Sequence, residues 1–355
     1  MSVGVILLNF GEPEEANQDA VVDYLEEIFY SNMELEGEMP EKAAKERARE
    51  LAERRAPGLI EEYEEIGGGS PLIPQAREQA MMLEQSLDAR GVDAKTYIGM
   101  QFTDPFVHEA VEKALDTGVD SVVGMPVYPL CGETTTIESL EKMEEAVEDY
   151  SEDTGADIGV WEVTGWHRHP TYLELRREQI RNYGEENEID LSSEDTAMVF
   201  SAHGTPTKYL EDVRYVTYVE DFCETVAERL GLSNYHIGYQ NHENRDVEWT
   251  EPSVEELVEE LDVGKVVIDT PSFMHEQSET LSELDIDLRE DCQEQDIEYH
   301  RVPVPYDDPR LGEVFADLVE PLVNDTYSAT GLTECDCKDA SEPLSVCLNS
   351  GRFDG

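Results

Sequence analysis

A lone histidine, His203, stands in Ser201-Ala-His-Gly-Thr-Pro206, directly after the apolar run Ala197–Phe200. Such a run predicts a buried strand, so the imidazole falls at its carboxyl end, where open α/β sheets place ligands and chemistry. Further on, residues 273–287 predict a helix in which Glu279, Glu283 and Asp287 lie four apart, stacking three carboxylates on one face. Imidazole and carboxylate together can bind a borderline or hard divalent ion and move protons. Each signal alone is weak. A site histidine and a buried, hydrogen-bonded one are equally good readings of His203, and among 83 acidic residues four-spaced carboxylates arise by chance. The loop Ile66-Gly-Gly-Gly-Ser-Pro-Leu72 lets backbone approach a ligand just before a helix start that favours an anion. Its spacing fits neither the dinucleotide fingerprint nor the P-loop, and a tight turn feeding a helix is the simpler account.

The elements that must position these residues alternate. Residues 3–8, 94–98, 121–125, 158–163, 197–201, 235–238, 265–269 and 298–302 read as strands. Amphipathic stretches at 73–89, 106–115, 137–150, 172–183, 215–230 and 253–261 read as helices between them. The pattern is α/β, with parallel sheets covered by helices on both faces. Eight strands divide into two Rossmann-like, four-stranded domains, 1–163 and 164–308, the change falling where Trp166-His-Arg-His-Pro170 interrupts the alternation. A C-terminal helix, 309–323, follows. Residues 324–355 lose the helical period and carry three of the six cysteines, which reads either as a polar tail or as a tail folded around a metal centre.

Charge narrows the setting. The 355 residues hold 25 basic and 83 acidic side chains, a net −58, and only 8 of the basic ones are Lys. The acids are dispersed rather than gathered in one tail. Their mutual repulsion reaches roughly 10 Å in 0.1 M salt and about 3 Å in molar salt, so the chain reads as built for a salt-rich cytoplasm. No basic stripe exists to neutralise phosphates, which argues against nucleic-acid binding, and an acidic decoy for basic partners is the weaker rival. At 39% hydrophobic residues the chain is too apolar to be disordered. No run of about 18 apolar residues predicts a membrane helix, and the N-terminal run reads as a first strand rather than a signal peptide. Cysteines in such a chain are reduced thiols or metal ligands before they are disulfides.

Seven segments in order resemble the ferrochelatases: 4–13 (Gly-Val-Ile-Leu-Leu-Asn-Phe-Gly-Glu-Pro), 66–72, 99–105, Pro126-Val-Tyr-Pro129 with Thr134–Thr136, 200–206, Tyr239-Gln240 with Trp249 and Pro252, and 273–287. The likeness covers roughly residues 3–323. It implies a porphyrin cleft between the two domains and insertion of Fe2+, the metal substrate, into a dicarboxylate or tetracarboxylate porphyrin (protoporphyrin or coproporphyrin) in haem synthesis. His203 matches the active-site histidine and Glu279 its partner across the macrocycle, both as catalytic and metal-binding groups. Glu283 and Asp287 continue an acidic row linked to metal delivery or proton exit. Phe10, Ser70, Gln101 and Phe102 border the porphyrin. No organic cofactor is required, and a homodimer is implied by the resemblance alone. The chemistry suits the residue types: the ring must be buckled, a strain of about 1–5 kcal/mol, two N–H protons must leave, and the ion needs ligands that bind and then release it.

Departures from the family pattern bear on the site. Gln277 stands at the place of a second histidine, with His275 two residues earlier as a substitute only if the turn slips. Gln101 and Phe102 replace an Arg-Tyr pair, and Asn241-His242 a Ser-Arg pair, which removes cations from the cleft. Rival readings are a chelatase loading cobalt or nickel into a sirohydrochlorin-type tetrapyrrole, and a non-catalytic tetrapyrrole carrier. Some ferrochelatases hold a [2Fe–2S] cluster on one core and three C-terminal cysteines; Cys131, Cys335, Cys337 and Cys347 match that set, with zinc or free thiols as alternatives.

Overall fold

The computed structural model describes residues 2–210, 213–242, 247–335, 337–338 and 343–349. Its first strand, β1 (Val3–Asn9), is buried at all seven positions, as a continuous apolar run requires when both sheet faces are covered. It pairs in parallel with β2 (Ala94–Met100) and β3 (Ser121–Pro126), and β3 pairs with β4 (Gly159–Val163). The second sheet is β5 (Thr196–His203), flanked by β6 (Tyr235–Gln240) and β7 (Lys265–Asp269), with β8 (Glu298–Arg301) at its edge, all parallel. All eight predicted strands are present.

The expectation of four strands in the first sheet is corrected by the tail. β10 (Leu344–Cys347) pairs in parallel with β4, setting Leu344 opposite Trp161, and β9 (Thr333–Glu334) pairs antiparallel with β10, giving six strands in the order β2-β1-β3-β4-β10-β9. The alternation Leu-Ser-Val-Cys is too short to stand out against polar neighbours, and it folds because β4 offers an unpaired edge.

Among the described residues ten α-helices cover the sheets: α1 (Gln18–Ser31), α2 (Glu41–Glu65), α3 (Leu72–Ala89), α4 (Val107–Asp116), α5 (Glu138–Thr154), α6 (Pro170–Glu186), α7 (Tyr215–Leu230), α8 (Val254–Glu259), α9 (Arg289–Glu294) and α10 (Arg310–Val323). The hairpin of α1 and α2 is absent from the sequence reading. Asn17 caps α1 by accepting from the Ala20 N–H at 2.9 Å. The buried stripe of α2 is mainly alanine (Ala44, Ala48, Ala52, Ala56), which gives little apolar contrast, while Arg49 ties it to Asp23 and Glu26 of α1 at 3.0 and 2.7 Å. Helix α10 crosses back to the first half and lies on α3. A Cβ at Gly312 would stand 2.6 Å from the Met82 carbonyl oxygen, so only glycine permits that approach. Trp166 packs edge-on against Tyr172 and Phe315, with centroids 4.9 and 5.6 Å away, in a core shared by both halves. Burying each such ring contributes about 1.5–3 kcal/mol. The carboxyl ends of β1, β3, β5 and β6 consequently converge on one cleft.

Candidate active site

The last residue of β5, His203, lies opposite Gln240 of β6 in the parallel register, so His242 is carried two residues past that partner and back toward it. The Nε2 atoms of His203 and His242 are 3.3 Å apart. The turn between them is tight: a Cβ on Gly204 would fall 1.9 Å from the Asn241 side-chain oxygen. From behind, the Tyr215 hydroxyl donates to the His203 carbonyl at 2.9 Å and Ser272 Oγ accepts the His203 backbone N–H at 3.1 Å. The third wall is the segment Glu279–Leu288, a π-helix rather than the α-helix that four-residue spacing predicts. Its i→i+5 bonding, a form that recurs at functional sites, turns Glu279 and Glu283 into the cleft and leaves Asp287 exposed outside it.

One ligand atom each of His203, His242 and Glu279 lies within 4.8 Å of the others. The three donor atoms are close enough to share one ion at the wall of the cleft. Glu279 accepts from Gln277 Nε2 at 2.8 Å and from Ser278 Oγ at 3.0 Å, and Glu283 accepts from Gln240 Nε2 at 3.0 Å. Around them the cleft is walled by Phe10, Leu25, Ile28, Phe29, Leu59 and Trp249 among others, an apolar lining suited to the face of a flat ligand.

Burial, and then the neighbouring His242, holds His203 down at about 4, so it is a neutral imidazole at pH 7. Burial lowers His242 as well. Burial works to raise Glu279, but the His203 and His242 imidazoles keep it below the usual carboxylate range, whereas desolvation and then Glu279 push Glu283 well above it. A neutral nitrogen pair beside an ionised carboxylate is a donor set ready for a divalent cation and able to take up protons.

The ferrochelatase family model matches residues 2–322. The chain belongs to the ferrochelatase family. It is 34% identical over 325 residues to ferrochelatase of Synechococcus elongatus, covering 90% of this chain and 82% of that one. It is 32% identical over 326 residues to ferrochelatase of Trichodesmium erythraeum, covering 89% and 81%. The solved structure described as SirB from Bacillus subtilis with Fe3+ aligns over 92% of this chain and 98% of that chain with TM-score 0.53; at 10% identity it supports the chelatase fold alone. As a ferrochelatase the protein is a porphyrin metal chelatase of the haem pathway with Fe2+ as metal substrate. No described helix is long and apolar enough to cross a membrane.

The other expected site residues divide into two layers. Phe10 lines the cleft, in contact with Phe102 at 4.6 Å between centroids. Ser70, Gln101 and Phe102 are buried behind that wall: Ser70 hydrogen-bonds Glu12, and Gln101 Nε2 donates to the Thr134 carbonyl at 3.0 Å. His275 is no substitute histidine. It is 0% exposed, bound to Gln79 Oε1 at 2.9 Å, and burial lowers it to about 3. Several lining residues escape the sequence reading, Arg55 and Glu12 among them. Arg55 of α2 was hidden because the helix itself was missed. Glu12, inside the first turn motif, is only 1% exposed; it accepts from Tyr63 at 3.1 Å and from Ser278, and desolvation followed by Glu279 raises it to about 8. His242 was noted only as a departure from pattern, although the strand register carries the signal that would have found it.

Behind the loop that lines the cleft at Leu130, Gly132 and Thr134, the four expected thiols meet. Cys131 follows β3, and Cys335, Cys337 and Cys347 come from the tail. Cys337 contacts both Cys131 and Cys335, and Cys335 contacts Cys347. None is in a disulfide. Tyr218 bonds the Cys337 sulfur at 2.9 Å, while Thr164 Oγ1 at 3.1 Å and the Cys337 N–H at 3.3 Å donate to that of Cys335.

Proposed function

We propose that the chain inserts Fe2+ into a dicarboxylate porphyrin, with His203 as proton acceptor and metal ligand and Glu279 as the second catalytic carboxylate. The observation that carries this reading is the convergence of a neutral imidazole and an ionised carboxylate inside an apolar-walled cleft. Nitrogen and oxygen donors bind Fe2+ without the retention that thiolates impose, so the ion can pass to the pyrrole nitrogens. As it does, two N–H protons leave, neutral His203 accepting one and the ionised Glu279 carboxylate the other. Phe10, at the cleft wall, meets the ring face. Glu283, inside the cleft, and Asp287, exposed outside it on the same segment, mark a route by which ions or protons pass to the surface. Arg55 is the one cation among the described lining residues, which favours two propionates over four. Anaerobic metallation assays in molar KCl with protoporphyrin and coproporphyrin test the reading. Turnover of the first and little of the second is expected; tight porphyrin binding without metallation would make the protein a carrier instead.

We infer also that Cys131, Cys335, Cys337 and Cys347 hold a [2Fe–2S] cluster. Four buried or half-buried thiols linked as Cys131–Cys337–Cys335–Cys347 form two neighbouring pairs, the division a two-iron cluster uses. Contact with Cys337 raises Cys335 to about 11 and contact with Cys131 raises Cys337 to about 12, a crowding of thiols that metal cations would relieve. The hydrogen bonds aimed at the Cys335 and Cys337 sulfurs suit cluster ligands. When bound, such a group supplies one-electron chemistry and a covalent clasp between tail and core.

A further inference from the structure

We propose that His242 is the second imidazole of the metal site, supplying from the segment just past β6 the nitrogen that Gln277 does not provide. The inference rests on the chelatase reading above and deepens it by completing the ligand set: two imidazole nitrogens and one carboxylate oxygen, His203, His242 and Glu279, around one divalent first-row cation.

Three observations lead there. First, the other candidates for a second nitrogen are occupied. Gln277 spends its amide N–H on Glu279 at 2.8 Å, and His275 is sealed against Gln79. Second, the distance between the two imidazoles is that of two ligands on one ion. Two nitrogens each about 2.0–2.1 Å from a metal, at a tetrahedral or octahedral angle, lie roughly 2.8–3.4 Å apart, and the Nε2 atoms of His203 and His242 are 3.3 Å apart. Third, His242 is oriented from outside. Its Nδ1 faces Glu283 Oε1 at 3.7 Å, and Trp249 stands edge-on to the ring with centroids 5.8 Å apart. A carboxylate behind the far nitrogen of a ligating imidazole fixes which nitrogen meets the metal. Glu283, held by Gln240, thereby acts as a positioning residue for His242, while Glu279 touches the ion.

Titration of the full-length protein with Co2+ alone, anaerobically in molar KCl, tests this. Visible d–d bands report nitrogen and oxygen ligands, whereas capture by cysteines would show as near-ultraviolet sulfur-to-metal absorption. His242→Ala and the size-conserving His242→Gln are each expected to weaken Co2+ binding on the order of 10–100-fold and to change the d–d spectrum. Adding Gln277→His to His242→Ala returns an imidazole beside Glu279 and is expected to recover affinity. Circular dichroism of both variants separates ligand loss from misfolding. Wild-type affinity and spectrum in both His242 variants, while His203→Ala loses the site, would overturn the proposal and leave the chelatase reading standing. Loss of the Co2+ site in the His242 variants, in a wild-type protein that metallates no porphyrin, would do the reverse.

Discussion

The cleft and the cysteine fold both gather donor atoms suited to metals, yet they are built in opposite ways. The cleft takes nitrogen and oxygen from the ends of β5 and β6 and from a π-helix, and it opens onto a large apolar cavity. The cysteine site offers only sulfur, three of its four thiols being buried, from the loop after β3 and from a tail whose strands finish a sheet. Borderline and hard donors at an open mouth let an ion exchange, whereas enclosed thiolates keep what they bind. A protein that handles iron as cargo needs the first arrangement where the ring docks, and the second wherever a metal is to be kept.

The largest test of this contrast removes a cleft donor. His203→Ala or Glu279→Gln is expected to lower kcat for porphyrin metallation by about 10²–10⁴-fold while leaving any tail-bound iron in place; metal analysis beside an insertion assay checks both. Next, Cys335→Ser should abolish visible absorption that bleaches on reduction, and should cost about 2–5 kcal/mol in guanidinium unfolding, as loss of a cross-link over a long loop does. Cleft binding of Co2+ should survive that change. Equal damage to both sites by either substitution would erase the distinction.

A pH series gives a smaller effect of defined sign. His203 lies at about 4 against an ordinary 6.5, so folding favours its neutral form. The stability it contributes is complete above pH 6.5 and is lost as pH falls toward 4, and Glu279, also lowered, adds to the acid-side loss. Metallation should therefore persist below pH 6.5 and fail nearer 4, measured as kcat against pH. Glu12 acts the other way. Raised from 4.5 to about 8, it favours the protonated fold, so its share of stability declines as pH rises through that window. The smallest expected change is in Glu12→Gln: within about 1 kcal/mol of wild type at pH 5, and more stable than wild type at pH 8, by denaturant unfolding.

Most of the sheet architecture was legible because parallel strands buried on both faces are continuous apolar runs, as in Val3–Asn9 and Lys265–Asp269. What escaped lacks that contrast. The alanine stripe of α2 is masked by its charges, and β10 forms only because β4 has an edge to fill. His203 and Glu279 were legible from type, place and resemblance. His242 was not, since its importance depends on the register of β5 against β6, a relation between strands that no local pattern records. The ladder Glu279–Glu283–Asp287 was half right: π-helical winding brings two carboxylates into the cleft and leaves the third outside.

The strand Leu344–Cys347 is parallel to β4 and is made by the ribosome after every other strand of either sheet. Until it arrives, the edge of β4 presents unpaired amides and carbonyls to any neighbouring chain. Copies cut short before this strand would therefore be the sticky ones, prone to pair with each other through β4, and intact termini would guard solubility as much as they guard any bound metal.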